Sequence, residues 1–514
     1  MRRAIVVVVL LGIGLCTQAA LADVRVSSVY GSNMVLQRGV PIRVAGKADP
    51  GEQVLVTLGD DSRPAITNGN GDWSVLLSKR DAGGPLTMTI QGKNTLTFDN
   101  VLIGEVWACS GQSNMQFPVN AVVNVDQEKA AANYPNIRLL TVPTVTAQEP
   151  QFTFNGQWTV CSPDTVGGFT AVGYFFGRDL HKELGIPIGL INTSWGGTPA
   201  ESWTSRAVLE ADPKLRYMVT NWDKIIADYP AAIKQYNEVT LPEWQKKVEE
   251  AKAKGEQPPQ QPGTPAGPGN PWQPASLFNA MIAPLTPCRI AGAIWYQGES
   301  NAGRAYEYRT LFPAMIECWR DAFDEGDFPF LFVQLANFMA RQDAPGESAW
   351  AELREAQLRT LKLDDTGMAV IIDIGDAADI HPRNKQDVGK RLALWALART
   401  YHKHIPYFGP ECDDADRAGN KMVLHFDHAD GGLVAKGDVL HGFAIAGRDR
   451  KLVWALAKIV GNDRIEVWNP GVPHPVAVRY GWADNPDCTL YNGAGLAATP
   501  FRTDDWPGTT WPKE

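Results

Sequence analysis

The chain is poor in the residues that usually announce a metal or redox centre. It has 8 His and 7 Cys in 514 residues. No HExxH and no Cys-Cys-His spacing occurs, so no zinc motif is present. Positive charge is also in deficit. With 48 Lys+Arg against 57 Asp+Glu, the formal net charge is −9, which lacks the basic footprint of a nucleic-acid binder. Gly (48) and Pro (36) fall well short of collagen-like or low-complexity composition. No run after residue 22 approaches the roughly 20 apolar residues needed for a membrane span. What remains is an ordinary globular composition, 44% hydrophobic and 20% charged. At about 150 residues per domain, this length predicts two to four domains.

The one apolar run lies at the start. Arg2 and Arg3 precede Ala4 to Cys16, and Ala20-Leu21-Ala22 follows. A positive n-region, a short h-region and a small-x-small site describe a secretory signal peptide over 1–22, which predicts a periplasmic or secreted protein. Cleavage removes Cys16 and leaves Cys109, Cys161, Cys288, Cys318, Cys412 and Cys488. An even count in an exported chain permits disulfides, but the wide spacing fixes no pairing.

Residues 23–100 alternate with period two: Ile42 and Val44, then Val54, Val56 and Leu58, then Leu86, Met88 and Ile90, then Leu96 and Phe98. Turn-forming stretches such as Asp49-Pro50-Gly51 separate them. The pattern predicts a β-sandwich domain. From 101 to 405 apolar strands (Val101 to Val106, Pro187 to Ile191, Ile290 to Trp295, Phe330 to Leu335, Met368 to Ile374) alternate with helical patterns (Ala171 to Leu184, and near Tyr308 to Phe323, Ala349 to Leu363 and Lys385 to Tyr401). That order predicts an α/β domain with a parallel sheet covered on both faces, and a site at the carboxyl ends of its strands. An insertion at about 240–272 interrupts it. Its charged helix carries the i,i+4 pairs Glu243–Lys247 and Glu250–Lys254, and residues 257–271 hold six Pro and three Gly. Residues 406–514 return to β patterning.

Four stretches stand just after predicted strands. Ser110-Gly111-Gln112-Ser113-Asn114-Met115 presents a serine on a turn, as a nucleophile requires. Met115 replaces the second Gly of a G-x-S-x-G elbow. Asn192 to Thr198 contains Gly196-Gly197, where a backbone N–H can approach a ligand closely. Trp295 to Asn301 supplies Gln297 and Glu299. Asp376-Ala377-Ala378-Asp379-Ile380-His381-Pro382 supplies a histidine with an acid two residues earlier. Histidine titrates near neutrality, and a neighbouring carboxylate sets its tautomer. Taken singly, each stretch also fits a plain turn or a polar strand end.

In this order the four stretches resemble the sialate O-acetylesterase family within the SGNH (GDSL-like) hydrolases. The resemblance extends to Met34-Val35-Leu36-Gln37-Arg38, Gly104-Glu105-Val106-Trp107, Arg479-Tyr480-Gly481-Trp482 and Pro500 to Asp504, and so covers nearly the whole mature chain. It implies a three-layer α/β/α domain and acyl transfer through serine. Ser113 would be the nucleophile, His381 the general base and then acid, and Asp379 the orienting acid. Gln297 and the N–H groups of Ser113 and Gly197, or Gly196, would form the oxyanion hole. The broader superfamily has its acid three residues before the histidine, where Ala378 stands here, so Asp376 is a fallback and Glu299 a further candidate. Serine acyl transfer needs no cofactor or metal.

The resemblance implies hydrolysis of O-acetyl esters, with sialic acid as the first substrate. Acetylated xylan or another polysaccharide is the alternative, and a non-catalytic carbohydrate-binding protein is a third reading. Trp195, Trp203 and Trp295 lie beside the motifs and could stack on a sugar or pack a core. Acyl position, disulfide pairing and oligomeric state are not written in the sequence.

Overall fold

The computed structural model describes residues 23–512 other than Asp438. Residues 1–22, where the sequence predicts a signal peptide, lie outside them. The expected alternation is realised first in a small sheet of Arg25–Val26, Ile42–Lys47 and Asp72–Leu77. Ile42 and Val44 are buried while their neighbours are half-exposed. Gln53–Leu58, Asp61–Ile66 and Gly83–Gln91 form the facing layer.

Thr95–Gly111 is one strand, where the sequence suggests two. It pairs antiparallel with Gly83–Gln91 at its start and parallel with Ile188–Ser194 and Gly292–Tyr296 at its end. It thus belongs to both the β-domain and the α/β domain, and a single hydrophobic core runs through the two. The stretches Gln37-Arg38 and Glu105-Val106, both part of the family resemblance, meet here. Gln37 donates to Glu105 and accepts from the Val106 N–H, at 2.8 and 2.9 Å, and Arg38 pairs with Glu105.

The central sheet runs in the order Thr159–Cys161, Tyr134–Thr141, Ile188–Ser194, Thr95–Gly111, Gly292–Tyr296, Phe330–Val333, Thr366–Ala369. All neighbours are parallel except at the Thr159–Cys161 edge. Ile188–Ser194, Gly292–Tyr296 and Phe330–Val333 are buried at every position rather than at alternate ones, as a sheet covered on both faces demands. Helices Ala171–Leu184 and Lys385–Trp395 pack on each other, as do Ala305–Phe323 and Ala349–Arg359. Together they complete an α/β/α sandwich.

The insertion is larger than its sequence suggests. Arg216–Gln235 is helical, with Pro230 inside it, and Leu241–Lys254 follows. The ion pairs on the second helix are Lys246–Glu250 and Lys252–Glu249, not the two expected from spacing. The Pro-rich segment lies along these helices: Pro262 and Pro259 carbonyls accept from Tyr236 and Trp244. The β-rich end has its own core around Leu424, Ile445, Ile465 and Val478. Its attachment explains two further stretches of the resemblance. Arg479 binds Asp504 through two hydrogen bonds and reaches Glu347, while Arg502 grips Glu355. Trp482 lies over both guanidinium groups. All six described cysteines are free, so the disulfides the sequence permits are not formed. Burial pushes the Cys161 and Cys288 thiols up to about 12. No described helix is long and apolar enough to cross a membrane.

Candidate active site

The site forms where the carboxyl ends of three adjacent parallel strands converge. Thr95–Gly111 ends at the turn carrying Ser113, the first residue of the short helix Ser113–Gln116. Gly111 is required at that end. Its φ is +136°, and a Cβ there would stand 2.1 Å from the Tyr296 carbonyl of the neighbouring strand. A side chain would push apart two strands that must touch for their following loops to meet.

His381 arrives from the opposite side, on the irregular segment between Thr366–Ala369 and Lys385–Trp395. Its Nε2 lies 2.9 Å from Ser113 Oγ. Its Nδ1 lies 3.4 Å from Asp379 Oδ1, and that same oxygen accepts the His381 backbone N–H at 2.9 Å. The Asp379 and His381 side chains remain 53% and 36% exposed, so the dyad opens to solvent. Asp376 does not join it. Its carboxylate accepts from the Ala378 N–H and closes a local turn.

The Gly196-Gly197 turn follows Ile188–Ser194 and backs onto Ser113. A Cβ on Gly196 would lie 3.2 Å from Ser113 Cβ. The Gly196 N–H is taken by Gln116 Oε1 at 2.8 Å. Among the described residues, the N–H groups of Ser113 and Gly197 have no hydrogen-bond partner. Two unpaired donors beside a serine hydroxyl can receive the charge of a tetrahedral intermediate.

Gln297 stands differently from its sequence expectation. It is fully buried, and its amide donates to Asn301 Oδ1 at 2.6 Å and to the Thr198 carbonyl at 3.2 Å. Its oxygen accepts from Tyr308. With both amide hydrogens engaged, Gln297 braces the turn after Gly197 rather than offering a donor. Trp203 and Trp295 are fully buried and pack edge to face, so core packing claims both. Trp195 is half-buried.

Two residues that sequence reasoning left out bind the site together. Asn114, next to Ser113, donates to Glu299 Oε1 at 2.6 Å and to the Ile380 carbonyl at 3.0 Å, and accepts from Lys385 Nζ. Lys385 is fully buried at the start of its helix, over the faces of Phe117 and Tyr296. Burial lowers its ammonium to about 7, against the opposing pull of Glu299 and Asp379. Burial raises Glu299 above the usual carboxylate range, partly countered by its own backbone N–H, Asn114 and Lys385. Among the described residues, no group of three or more His, Cys, Asp or Glu could hold a metal ion.

The comparisons with known proteins identify the family. A family model described as "Carbohydrate esterase, sialic acid-specific acetylesterase" matches residues 266–397, the span holding Gln297, Glu299, Asp379 and His381. A sialate O-acetylesterase of Pongo abelii is 30% identical, covering 94% of this chain and 94% of its own. The Mus musculus enzyme is 30% identical over 96% and 97%. A carbohydrate acetylesterase from Xanthomonas citri superposes with a TM-score of 0.80 at 37% identity, covering 94% of this chain and all of that one. Sequence, fold and the strand-end serine thus lead to one conclusion: the chain is an esterase and belongs to the sialate O-acetylesterase family.

Proposed function

We propose that this chain is an exported carbohydrate esterase that removes O-acetyl groups from sialic acid through a Ser113 acyl-enzyme. One observation carries the mechanism: His381 Nε2 lies 2.9 Å from Ser113 Oγ, beside two unpaired backbone donors. Ser113 Oγ attacks the acetyl carbonyl and passes its proton to His381. Asp379 holds the imidazole by Nδ1. The N–H groups of Ser113 and Gly197 receive the oxyanion, each such donor contributing roughly 3 kcal/mol in the transition state. The intermediate collapses, and His381 returns the proton to the departing sugar hydroxyl. Water, deprotonated by His381, then attacks the acetyl-Ser113 ester; the bond to Ser113 Oγ breaks, His381 returns the proton to Ser113 Oγ, and acetic acid leaves and ionises in solvent. Every proton is carried by a group of the chain.

The substrate reading rests on the relatives, whose names specify sialate esters. Polysaccharide acetyl esters are the second reading, favoured by the Xanthomonas citri neighbour, which is described by the broader term carbohydrate acetylesterase. Acetate release from O-acetylated sialic acid and from acetylated xylan, measured side by side, separates them. Ser113→Ala is expected to abolish hydrolysis of an aryl acetate while circular dichroism stays unchanged. Wild-type turnover in that variant would refute the Ser113 acyl-enzyme and place the chemistry on another residue. Export is tested by the N-terminus of secreted material, which should begin at Asp23.

A further inference from the structure

Lys385 sits in an uncomfortable place. A lysine at the first position of a helix opposes the helix dipole, and complete burial of an ammonium is expensive unless its charge is met. Its head group points at a single amide. Asn114 Oδ1 accepts from Nζ, while Asn114 Nδ2 holds Glu299 Oε1 and the Ile380 carbonyl. Ile380 is the residue before His381, and Asn114 is the residue after Ser113. The aromatic faces of Phe117 and Tyr296, 4.9 and 5.1 Å from Nζ, close the remaining sides. Both carboxylates in the site, Glu299 and Asp379, act electrostatically on this ammonium. Glu299 Oε2 is buried with no hydrogen-bond partner among the described residues, so part of its charge is answered through space. Asp379, by contrast, is more than half exposed and meets the imidazole at only 3.4 Å.

We propose that Lys385 is a positioning residue of the esterase site: pinned on Asn114 opposite Glu299, it locks the His381 segment in register with the Ser113 turn. The inference rests on Ser113 and His381 being the nucleophile and base. The segment from Gly375 to Asn384 contains no helix or strand, so its register depends on such side-chain ties. Asn114 is the shared partner, and Lys385 keeps its amide oriented. Without the ammonium, the Asn114 amide can rotate, and the Ile380 tie that sets the His381 approach loosens.

The test uses the full-length enzyme and an aryl acetate. Lys385→Met keeps the volume and removes the charge. It is expected to lower kcat by about 30- to 100-fold, the scale of a small misplacement of reacting groups, with KM changed less than threefold and thermal stability unchanged or raised. Glu299→Gln should lower kcat in the same direction. The double variant should be no worse than the poorer single, because both act through Asn114. Lys385→Met with kcat within twofold of wild type would overturn the proposal. So would losses that multiply in the double variant, or a kcat loss that only follows a falling melting temperature. Ser113→Ala runs as a control: if it keeps activity, the underlying reading fails, whereas a dead Ser113→Ala beside an active Lys385→Met rejects the positioning role alone.

Discussion

The molecule contains two dense charged clusters, and they are built on opposite terms. At the C-terminal junction, Arg479 and Arg502 have no exposed side-chain surface and meet Asp504, Glu347 and Glu355 in paired hydrogen bonds beneath Trp482. Around Ser113 the charges are incompletely answered: Asp379 is more than half exposed and, among the described residues, Glu299 Oε2 has no hydrogen bond and two backbone donors are unpaired. A saturated cluster fixes two domains to each other. An unsaturated one keeps its capacity for a ligand and a transition state.

The sharpest break between them is chemical. Ser113→Ala should lower kcat on an aryl acetate by on the order of 10⁴-fold or more and leave the melting temperature within a degree or two; steady-state kinetics and a thermal melt check both. Arg479→Met should do the reverse. It removes two hydrogen bonds from the buried Asp504 carboxylate, leaving Arg502 and the Trp506 N–H to hold it, and is expected to cost about 3 kcal/mol of stability, while the fraction that remains folded keeps near-normal turnover; urea titration followed by active-site counting measures this. Asp379→Asn comes next. Because this acid is exposed and its contact is long, the loss should be about 10- to 100-fold, below the ~10⁴ found where the acid is buried. Asp376→Asn should stay within twofold of wild type. If Asp376→Asn is the more damaging, the orienting role belongs to the other acid.

The smallest effect concerns pH. Lys385 is lowered to about 7 in the fold, from about 10.4 in an unfolded chain. Between those values the unfolded state binds more protons, so this residue makes stability rise with pH from about 7 to about 10 and adds no slope below 7. Chemical denaturation at pH 7 and pH 9 should show a larger gain for wild type than for Lys385→Met.

The contrast also explains what the sequence disclosed. Strands of an internal parallel sheet read as apolar runs, so the residues just after them could be named, among them Ser113 and His381, whose side chains lie 2.9 Å apart. Ala171–Leu184 was visible from its periodicity and its Gly185 stop. Arg216–Gln235 was not, because few of its side chains are buried and Pro230 interrupts the pattern. Gln297 and the tryptophans show the limit in the other direction. Residue type suggested a donor and sugar platforms, but position in the core engages them elsewhere. Lys385 left a faint sign, a basic residue in the first turn of a helix, whose meaning depends on Asn114, 271 positions away in sequence.

The central claim is that His381 activates Ser113. Intact-mass analysis after treatment with a serine-directed fluorophosphonate tests it most directly. One adduct per chain is expected, mapped to Ser113, with labelling slowed at least a hundredfold in His381→Ala. An adduct on another residue, or equal labelling rates in the two proteins, would contradict it.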